Sequence, residues 1–225
     1  MKKSEFSEKF FEILVDHLLL NHGFQIFIPS QNKENKLGYD ALINNIKSIM
    51  GTKKRINGFA LQYKIVEKYK KPQNKKENFK FKLHPAHNYR QHNKLCKCNQ
   101  IGKFIAAYCV PNFVTIADLY LNLNGGSLLS NSMLIFPKIH IIDNNSHYIT
   151  FGHLTAHQHS SEQNNCDIKN FEQILKEQDA EHLMLPEVFI EFLESINSDF
   201  IEDKVSQENR YNYSDSFLIA YKIIE

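Results

Sequence analysis

The stretch FALQYKIV, residues 59–66, decides how the first half of the chain is interpreted. Phe59 and Leu61 are typical of a buried strand, but Gln62 and Lys64 stand two positions apart beside them. Because side chains two positions apart in a strand point to the same face, an amide and an ammonium group are predicted to lie side by side. The helices and strands on either side of this stretch are therefore needed to interpret the function of these two polar groups.

Helix and strand signals surround this stretch in the order of an α/β core. Apolar residues at helical spacing predict the first helix, and a nearly continuous apolar run predicts a central strand at the end of the series. The predicted order is helix, three strands, helix and strand, at 4–22, 23–30, 39–46, 59–69, 88–102 and 103–111. The lysine-rich connection at 68–82 is too charged to pack, and two short strands around a turn are predicted within 133–152.

The second part of the chain differs in composition. From about residue 160 it becomes acidic, and 167–183 and 186–196 have helical spacing, whereas 214–225 fits a strand or a short helix. We therefore expect a mixed-sheet domain over 1–155 and an acidic, mainly helical extension over 156–225.

Composition excludes several classes of protein. No stretch of about 18 uninterrupted apolar residues occurs, so no transmembrane helix is expected. The first lysines are not followed by an apolar segment, which argues against a signal peptide. The four cysteines of this 225-residue chain form no convincing disulfide framework. These features predict a cytoplasmic protein.

The charges are divided between the two halves of the chain. Residues 1–103 contain 21 basic and 8 acidic residues, a net charge of +13, and residues 104–225 contain 6 and 17, a net charge of −11. Such asymmetry favours a polyanionic partner for the first half. The alternative is a set of solvated lysines from a lysine-rich proteome.

Carboxylates precede the Gln-x-Lys pair. Asp40 follows Gly38 in the predicted second strand, and Glu12 lies on the first helix. Side chains of neighbouring strands converge at one end of a sheet, where Asp40 and the Gln62 amide oxygen offer hard ligands to a divalent cation. Lys64 then stands beside them as a point charge for a phosphate oxygen or an attacking water.

The motifs FEILVDHLLLNHGF at 11–24, GYDALI at 38–43 and LQYKIV at 61–66 resemble those of the PD-(D/E)XK nuclease superfamily, closest in pattern to its Mrr-like restriction endonucleases. The resemblance covers roughly 8–110. It implies a restriction-endonuclease-like core, with a mixed sheet flanked by helices, and hydrolysis of DNA phosphodiesters with Mg²⁺ or Mn²⁺. It assigns the active site to Asp40, Gln62 and Lys64, with Glu12 as an auxiliary ligand and Gln91 as an accessory residue. Gln62 replaces the commoner acid, which favours one essential metal.

Basic and aromatic residues in the first half of the chain are predicted to bind the DNA backbone without reading its sequence. They are Lys53, Lys54, Arg55, Lys70, Lys71, Lys75, Lys76, Tyr89 and Arg90. No separate specificity domain is evident, so we expect a regulated partner in a phage or plasmid defence complex, such as an ATPase or an SMC-like protein. Homo-oligomerisation is a further expectation, and no membrane partner is expected.

Other interpretations remain open. The glutamine at position 62 favours a catalytically inactive module that binds protein or nucleic acid, and an RNA-directed nuclease would use the same residues. Two clusters contain metal-ligating residue types: His84, His87, His92, Cys96 and Cys98, and then His147, His153, His157 and His159. The Cys-x-Cys spacing of the first cluster is short for structural zinc, so we expect its cysteines to be free thiols on a helix. We expect the histidines of the second cluster to be exposed.

Overall fold

The computed structural model describes residues 1–27, 46–70, 77–83, 89–100, 105–142, 145–152, 155–159, 163–176, 183–191, 193 and 218–224. Over these ranges the protein is a mixed α/β structure, with a large and mostly antiparallel sheet flanked by helices. The expected α/β class is confirmed at this level. None of the helices in these ranges combines the length and hydrophobicity that crossing a membrane requires.

The helices are α1 (Glu8–Asn21), α2 (Arg90–Gln100), α3 (Ile116–Asn124) and α4 (Phe171–Lys176), and residues 186–191 are also helical. The strands are β1 (Lys2–Lys3), β2 (Gln25–Phe27), β3 (Arg55–Tyr63), β4 (Glu67–Lys70), β5 (Glu77–Lys82), β6 (Ile105–Pro111), β7 (Ser132–Phe136), β8 (Tyr148–Phe151), β9 (Ala156–His159), β10 (Gln163–Asn170), β11 (Leu183–Met184) and β12 (Leu218–Ile224).

The sheet has two parts joined through β10. The strand order is β1-β4-β5-β8-β9-β10-β7-β6-β3-β12-β2, and β11 pairs with the start of β3. Residues 163–166 of β10 pair with β9, and residues 167–170 pair with β7. We call β1, β4, β5, β8, β9 and the first half of β10 the outer half-sheet. The second half of β10, with β7, β6, β3, β12, β2 and β11, is the inner half-sheet.

Two hydrophobic clusters lie on opposite faces of the inner half-sheet. The first cluster joins it to the outer half-sheet and includes Ala60, Tyr108, Ile135, Phe81 and Phe151. The second cluster joins it to α1, α3 and α4. The sheet alternation explains this division, because successive side chains of β3 and β6 enter different clusters.

Helix α1 is fixed on the second cluster by its apolar stripe. Phe11, Val15 and Leu19 are buried at the i, i+4, i+8 spacing that places them on one helical face. The Ser7 hydroxyl accepts the Phe10 N–H at 3.1 Å and caps the N-terminus. Gly23 follows the helix with φ +82°, a left-handed conformation that glycine adopts without steric cost. The predicted helix is therefore confirmed.

The central strand β3 is parallel to β6 and antiparallel to β12. The connection from β3 to β6 contains β4, β5 and α2, so the predicted helix and apolar strand after FALQYKIV are both present. β12 lies between β3 and β2 in the sheet. β2 and β3 are consecutive in the described sequence, but they are therefore not neighbours in the sheet.

The structure corrects three predictions about the rest of the chain. The segment 156–225 is not mainly helical in its described part, because β9, β10 and β12 belong to the sheet. The lysine-rich segment 68–82 contributes paired strands β4 and β5. The two strands within 133–152 exist as β7 and β8, but β7 pairs with β6 and β10, whereas β8 pairs with β5 and β9.

Candidate active site

Gln62 is buried close to the carboxyl end of β3. Its side chain is on the same face as Ala60 by strand alternation, and only 4% of the residue is exposed. The amide nitrogen donates to the Tyr63 carbonyl oxygen at 3.3 Å. Burying a primary amide is costly unless its polar atoms are hydrogen-bonded, so this contact holds the amide in a defined orientation.

Lys64 follows directly where β3 ends. Its backbone N–H donates to the Cys109 carbonyl oxygen at 3.1 Å, which extends the contact with β6 by one residue. Only 12% of the Lys64 side chain is exposed, and its Nζ lies 3.6 Å from Oε1 of Glu8. The sequence-predicted pair of an amide and an ammonium group therefore lies at one end of the central strand.

Glu8 brings a carboxylate to this end of the sheet from the first turn of α1. Burial raises the pKa of the Glu8 carboxyl, while the Lys64 charge and the Ile65 N–H favour its ionised form. A carboxylate is also stabilised by the partial positive charge of a helix N-terminus. Glu8 was not in the predicted site, although it lies one turn before Glu12 and in the same acidic series.

Glu12, the predicted auxiliary ligand, pairs with a lysine of its own helix. Its Oε1 accepts from Lys9 Nζ at 2.7 Å, and 18% of its side chain is exposed. The structure therefore pairs Lys64 with Glu8 rather than with the predicted auxiliary ligand. The negative charge of Glu12 still acts on its neighbours, because it raises the pKa of both Glu8 and Asp16.

Asp16 and Tyr63 join α1 to β3 next to the site. The buried Tyr63 hydroxyl donates to Asp16 Oδ1 at 2.6 Å, and its ring contacts Phe11 edge-on at 6.0 Å between centroids. Burial raises the pKa of Tyr63 well above its ordinary value. Tyr63 separates Gln62 from Lys64 in sequence, so this contact fixes the backbone between them.

Replacing Asp16 with asparagine is expected to stabilise the protein at high pH. Burial raises the pKa of Asp16 to about 6 from an ordinary value of 3.8. The folded state therefore binds the proton more tightly than the unfolded state, and stability falls as pH rises from about 4 to about 6. After solvent screening, we expect Asp16→Asn to raise the free energy of unfolding by about 1–2 kcal/mol at pH 8 and hardly at pH 4.

Urea unfolding of both proteins at the two pH values measures this difference. Asp167→Asn, which changes a side chain that is 63% exposed, is the control. A gap between Asp16→Asn and the original protein that is equal at both pH values would contradict the assigned titration.

Three of the predicted DNA-binding residues lie far from this site. Lys53, Lys54 and Arg55 lie before or at the start of β3, and the seven residue steps from Arg55 to Gln62 span about 23 Å of strand. These three basic residues are therefore at the opposite end of the strand from Gln62, and their contact with the DNA backbone stays a prediction.

Tyr89 is also not available to DNA. The residue is 1% exposed, and its hydroxyl donates to the Asn145 carbonyl oxygen. Its ring meets His147 edge-on at 4.9 Å between centroids, and its φ of +57° is rare for a bulky residue. Tyr89 is packed in the interior immediately before α2. The prediction that it contacts DNA is therefore wrong.

Several predicted residues fall beyond what the structure describes. Asp40, Lys71, Lys75 and Lys76 lie outside the described residues, as do His84, His87 and His153. Lys70 belongs to β4, and Arg90 and Gln91 begin α2, but their side chains are not among those described.

Four described residues of the cysteine and histidine clusters are buried. Cys96 and Cys98 are buried free thiols on α2, as expected. His92 Nε2 lies 2.9 Å from the Ile139 carbonyl oxygen and therefore carries the proton, so Nδ1 accepts from the Tyr108 hydroxyl at 3.1 Å. Burial lowers the pKa of His92 to about 4. His147 is buried, which corrects its predicted exposure.

Oxygen donors dominate the candidate site. Within the described ranges, no group of three or more His, Cys, Asp or Glu side chains is placed to hold a metal ion. The Glu8 carboxylate and the Gln62 amide oxygen are nevertheless the hard ligands that Mg²⁺ prefers, and Lys64 adds a nearly buried positive charge. Carboxylate, amide and ammonium groups are the kinds of group that bind and activate a phosphate ester. Comparison with protein-family models, with curated proteins and with solved structures gave no match to this chain.

Proposed function

We propose that this chain is a metal-dependent nuclease of the PD-(D/E)XK type that hydrolyses DNA phosphodiesters. The observation that carries the proposal is the nearly buried Lys64–Glu8 ion pair directly after β3, the strand in which the Gln62 amide is buried two residues earlier. The order α1, β3, α2 and β6, with β3 parallel to β6, agrees with the core that the sequence resemblance implies.

The described residues would have separate roles in phosphodiester hydrolysis. Lys64 stabilises charge that develops on the phosphate oxygens, and its low exposure strengthens that interaction. Glu8 holds the Lys64 ammonium in place before substrate binds. The Tyr63 carbonyl orients the Gln62 amide through its hydrogen bond.

Gln62, Glu8 and Asp40 are the residues that would hold Mg²⁺ or Mn²⁺. When bound, the cation supplies Lewis acidity and lowers the pKa of a coordinated water. Relative to the sequence prediction, Glu8 takes the place of Glu12, because Glu8 is the carboxylate beside Lys64. Asp40 remains assigned by the motif GYDALI alone.

A catalytically inactive nucleic-acid-binding module is the second candidate. The specific observation in its favour is that Gln62, in place of an acid, is buried and already hydrogen-bonded to Tyr63. Such an amide serves equally well as a structural group at the end of a strand.

Variants of Gln62 separate the two candidates. Nicking of supercoiled plasmid in Mg²⁺ is expected for the original protein and is expected to stop in EDTA. Gln62→Leu removes the oxygen ligand and should slow nicking by about 100-fold or more. Gln62→Glu keeps an oxygen donor and adds a charge, so activity should survive with half-saturation at a lower Mg²⁺ concentration.

The outcomes are distinct. Equal nicking by Gln62→Leu and the original protein, with both folded by circular dichroism, would contradict the site. Cleavage of RNA but not DNA would transfer the proposal to an RNA substrate. Cleavage of neither would favour the inactive module.

A further inference from the structure

The outer half-sheet has one face against the first hydrophobic cluster and one face turned away from it. Phe79, Phe81, Ile149 and Phe151 are buried on the inner side. Alternation therefore places the intervening side chains of β5, β8 and β9 on the opposite side. We call this opposite side the outer face.

Cross-strand pairing arranges the outer face in rows. One row contains Lys82, Tyr148 and His159. The next row, two residues along each strand, contains Lys3, Glu67, Lys80, Thr150, His157 and Asn165. Tyr69 lies one row further, opposite Asn78. Aromatic and basic groups are therefore interleaved on one sheet surface.

Tyr148 and His159 form an ordered aromatic pair in this face. Their rings stack at 4.5 Å between centroids with 13° between planes. The His159 Nε2 and Thr150 Oγ1 atoms lie 2.7 Å apart, which fixes the imidazole beside the tyrosine. Tyr148 is nevertheless 38% exposed. An exposed ring that is already held in position loses little side-chain freedom when a second ring stacks on it.

The charge around this pair is positive. Lys82 is directly opposite Tyr148, and Lys80 and Lys3 lie in the adjacent row. In these two rows the described acid is Glu67, whose Oε2 lies 3.5 Å from Lys80 Nζ. Asp167, further along β10, is paired with Lys138 at 2.8 Å. The two rows thus carry three lysines against one glutamate.

We propose that the outer face binds single-stranded nucleic acid. Bases stack on Tyr148 and Tyr69, and phosphates lie near Lys80, Lys82 and Lys3. From strand geometry the two tyrosines are about 17 Å apart, which a few nucleotides span. A single strand offers unstacked bases to aromatic side chains, whereas the bases of a duplex are covered by their neighbours. This chemistry favours a single strand over a duplex.

The outer face is separate from the candidate active site. Tyr148 and Lys82 belong to the outer half-sheet, whereas Gln62 belongs to β3 in the inner half-sheet. The inference therefore does not rest on the proposed nuclease function, and a measurement of binding without a metal ion tests it alone.

Fluorescence anisotropy of the full chain in EDTA is the test. The probes are labelled twelve-nucleotide oligo-dT, oligo-U and a duplex of the same length. We expect the single strands to bind about 10-fold or more tighter than the duplex, and Tyr148→Ala to weaken their binding by about 5- to 100-fold. Tyr148→Phe keeps the stacking ring and should bind nearly as well as the original protein.

The charge contribution has its own readout. Changing Lys80 and Lys82 together to glutamine should lower the salt slope of single-strand binding by about 1.4, since each neutralised phosphate contributes about 0.7. Tyr120→Ala on α3, 48% exposed, and Lys176→Gln on α4, whose side chain is 72% exposed, are matched controls that should leave binding unchanged.

Tighter binding of oligo-dT or of oligo-U identifies the natural strand as DNA or RNA, and either result supports the proposal. The proposal is overturned if Tyr148→Ala binds as tightly as the original protein. It is also overturned if the duplex is preferred or if neither single strand binds, a result that would leave this face to a protein partner.

Discussion

Replacing Lys64 with alanine is expected to slow DNA cleavage by about 100- to 1,000-fold, the cost of removing one well-placed group that stabilises transition-state charge. The Lys64 ammonium is nearly buried and lies beside Glu8, so solvent cannot readily replace it. The single-turnover rate of plasmid nicking in Mg²⁺ is the measurement. Lys64 packs no hydrophobic cluster, so the variant should keep the circular dichroism spectrum of the original protein.

Two variants at exposed residues serve as controls for this prediction. Lys176→Ala removes an exposed lysine from α4, and Lys138→Ala removes an exposed lysine that pairs with Asp167. Both should cleave within about 3-fold of the original rate, because substitutions of solvent-accessible groups away from a site have small effects. A Lys64→Ala protein that cuts as fast as these controls would remove Lys64 from the catalytic machinery.

Local patterns made the centre of the fold predictable. Helix α1 and strands β3 and β6 were expected because Phe11, Val15 and Leu19 follow helical spacing and because 105–111 is almost entirely apolar. Gln62 stood out because it is a polar residue inside a strand that is otherwise mostly apolar. Sequence could not decide between Glu8 and Glu12, which share a helical face. Which of the two carboxylates reaches Lys64 depends on the position of α1 along the axis of β3.

The errors have physical causes that differ between segments. β5 carries a clear signal, since Phe79 and Phe81 alternate with Lys80 and Lys82, but the overall charge of the segment obscured it. β9 and β10 contain mainly His, Gln and Asn, so no apolar periodicity indicated strands. Their place in the sheet comes from pairing with distant strands, and such non-local pairing leaves little trace in the local sequence.

Phe171→Ala is expected to lower the free energy of unfolding of the whole protein by about 3–5 kcal/mol, the usual cost of truncating a buried phenylalanine. Phe171 is fully buried, and its ring centroid lies 5.6 Å from that of Phe59 on β3. Phe59 in turn lies 5.3 Å from Phe24, which follows α1. Residues from the beginning, middle and later part of the chain therefore share one aromatic cluster.

Urea unfolding followed by far-ultraviolet circular dichroism tests this prediction, because the chain contains no tryptophan for fluorescence. Leu121→Ala on α3, at a residue that is 71% exposed, should change the free energy of unfolding by less than about 0.5 kcal/mol. If 156–225 were an appendage with its own stability, Phe171→Ala would leave the main transition at its original urea concentration. A single transition displaced to lower urea is expected instead, because α4 and β12 complete the hydrophobic cluster that positions β3 and hence Gln62 and Lys64.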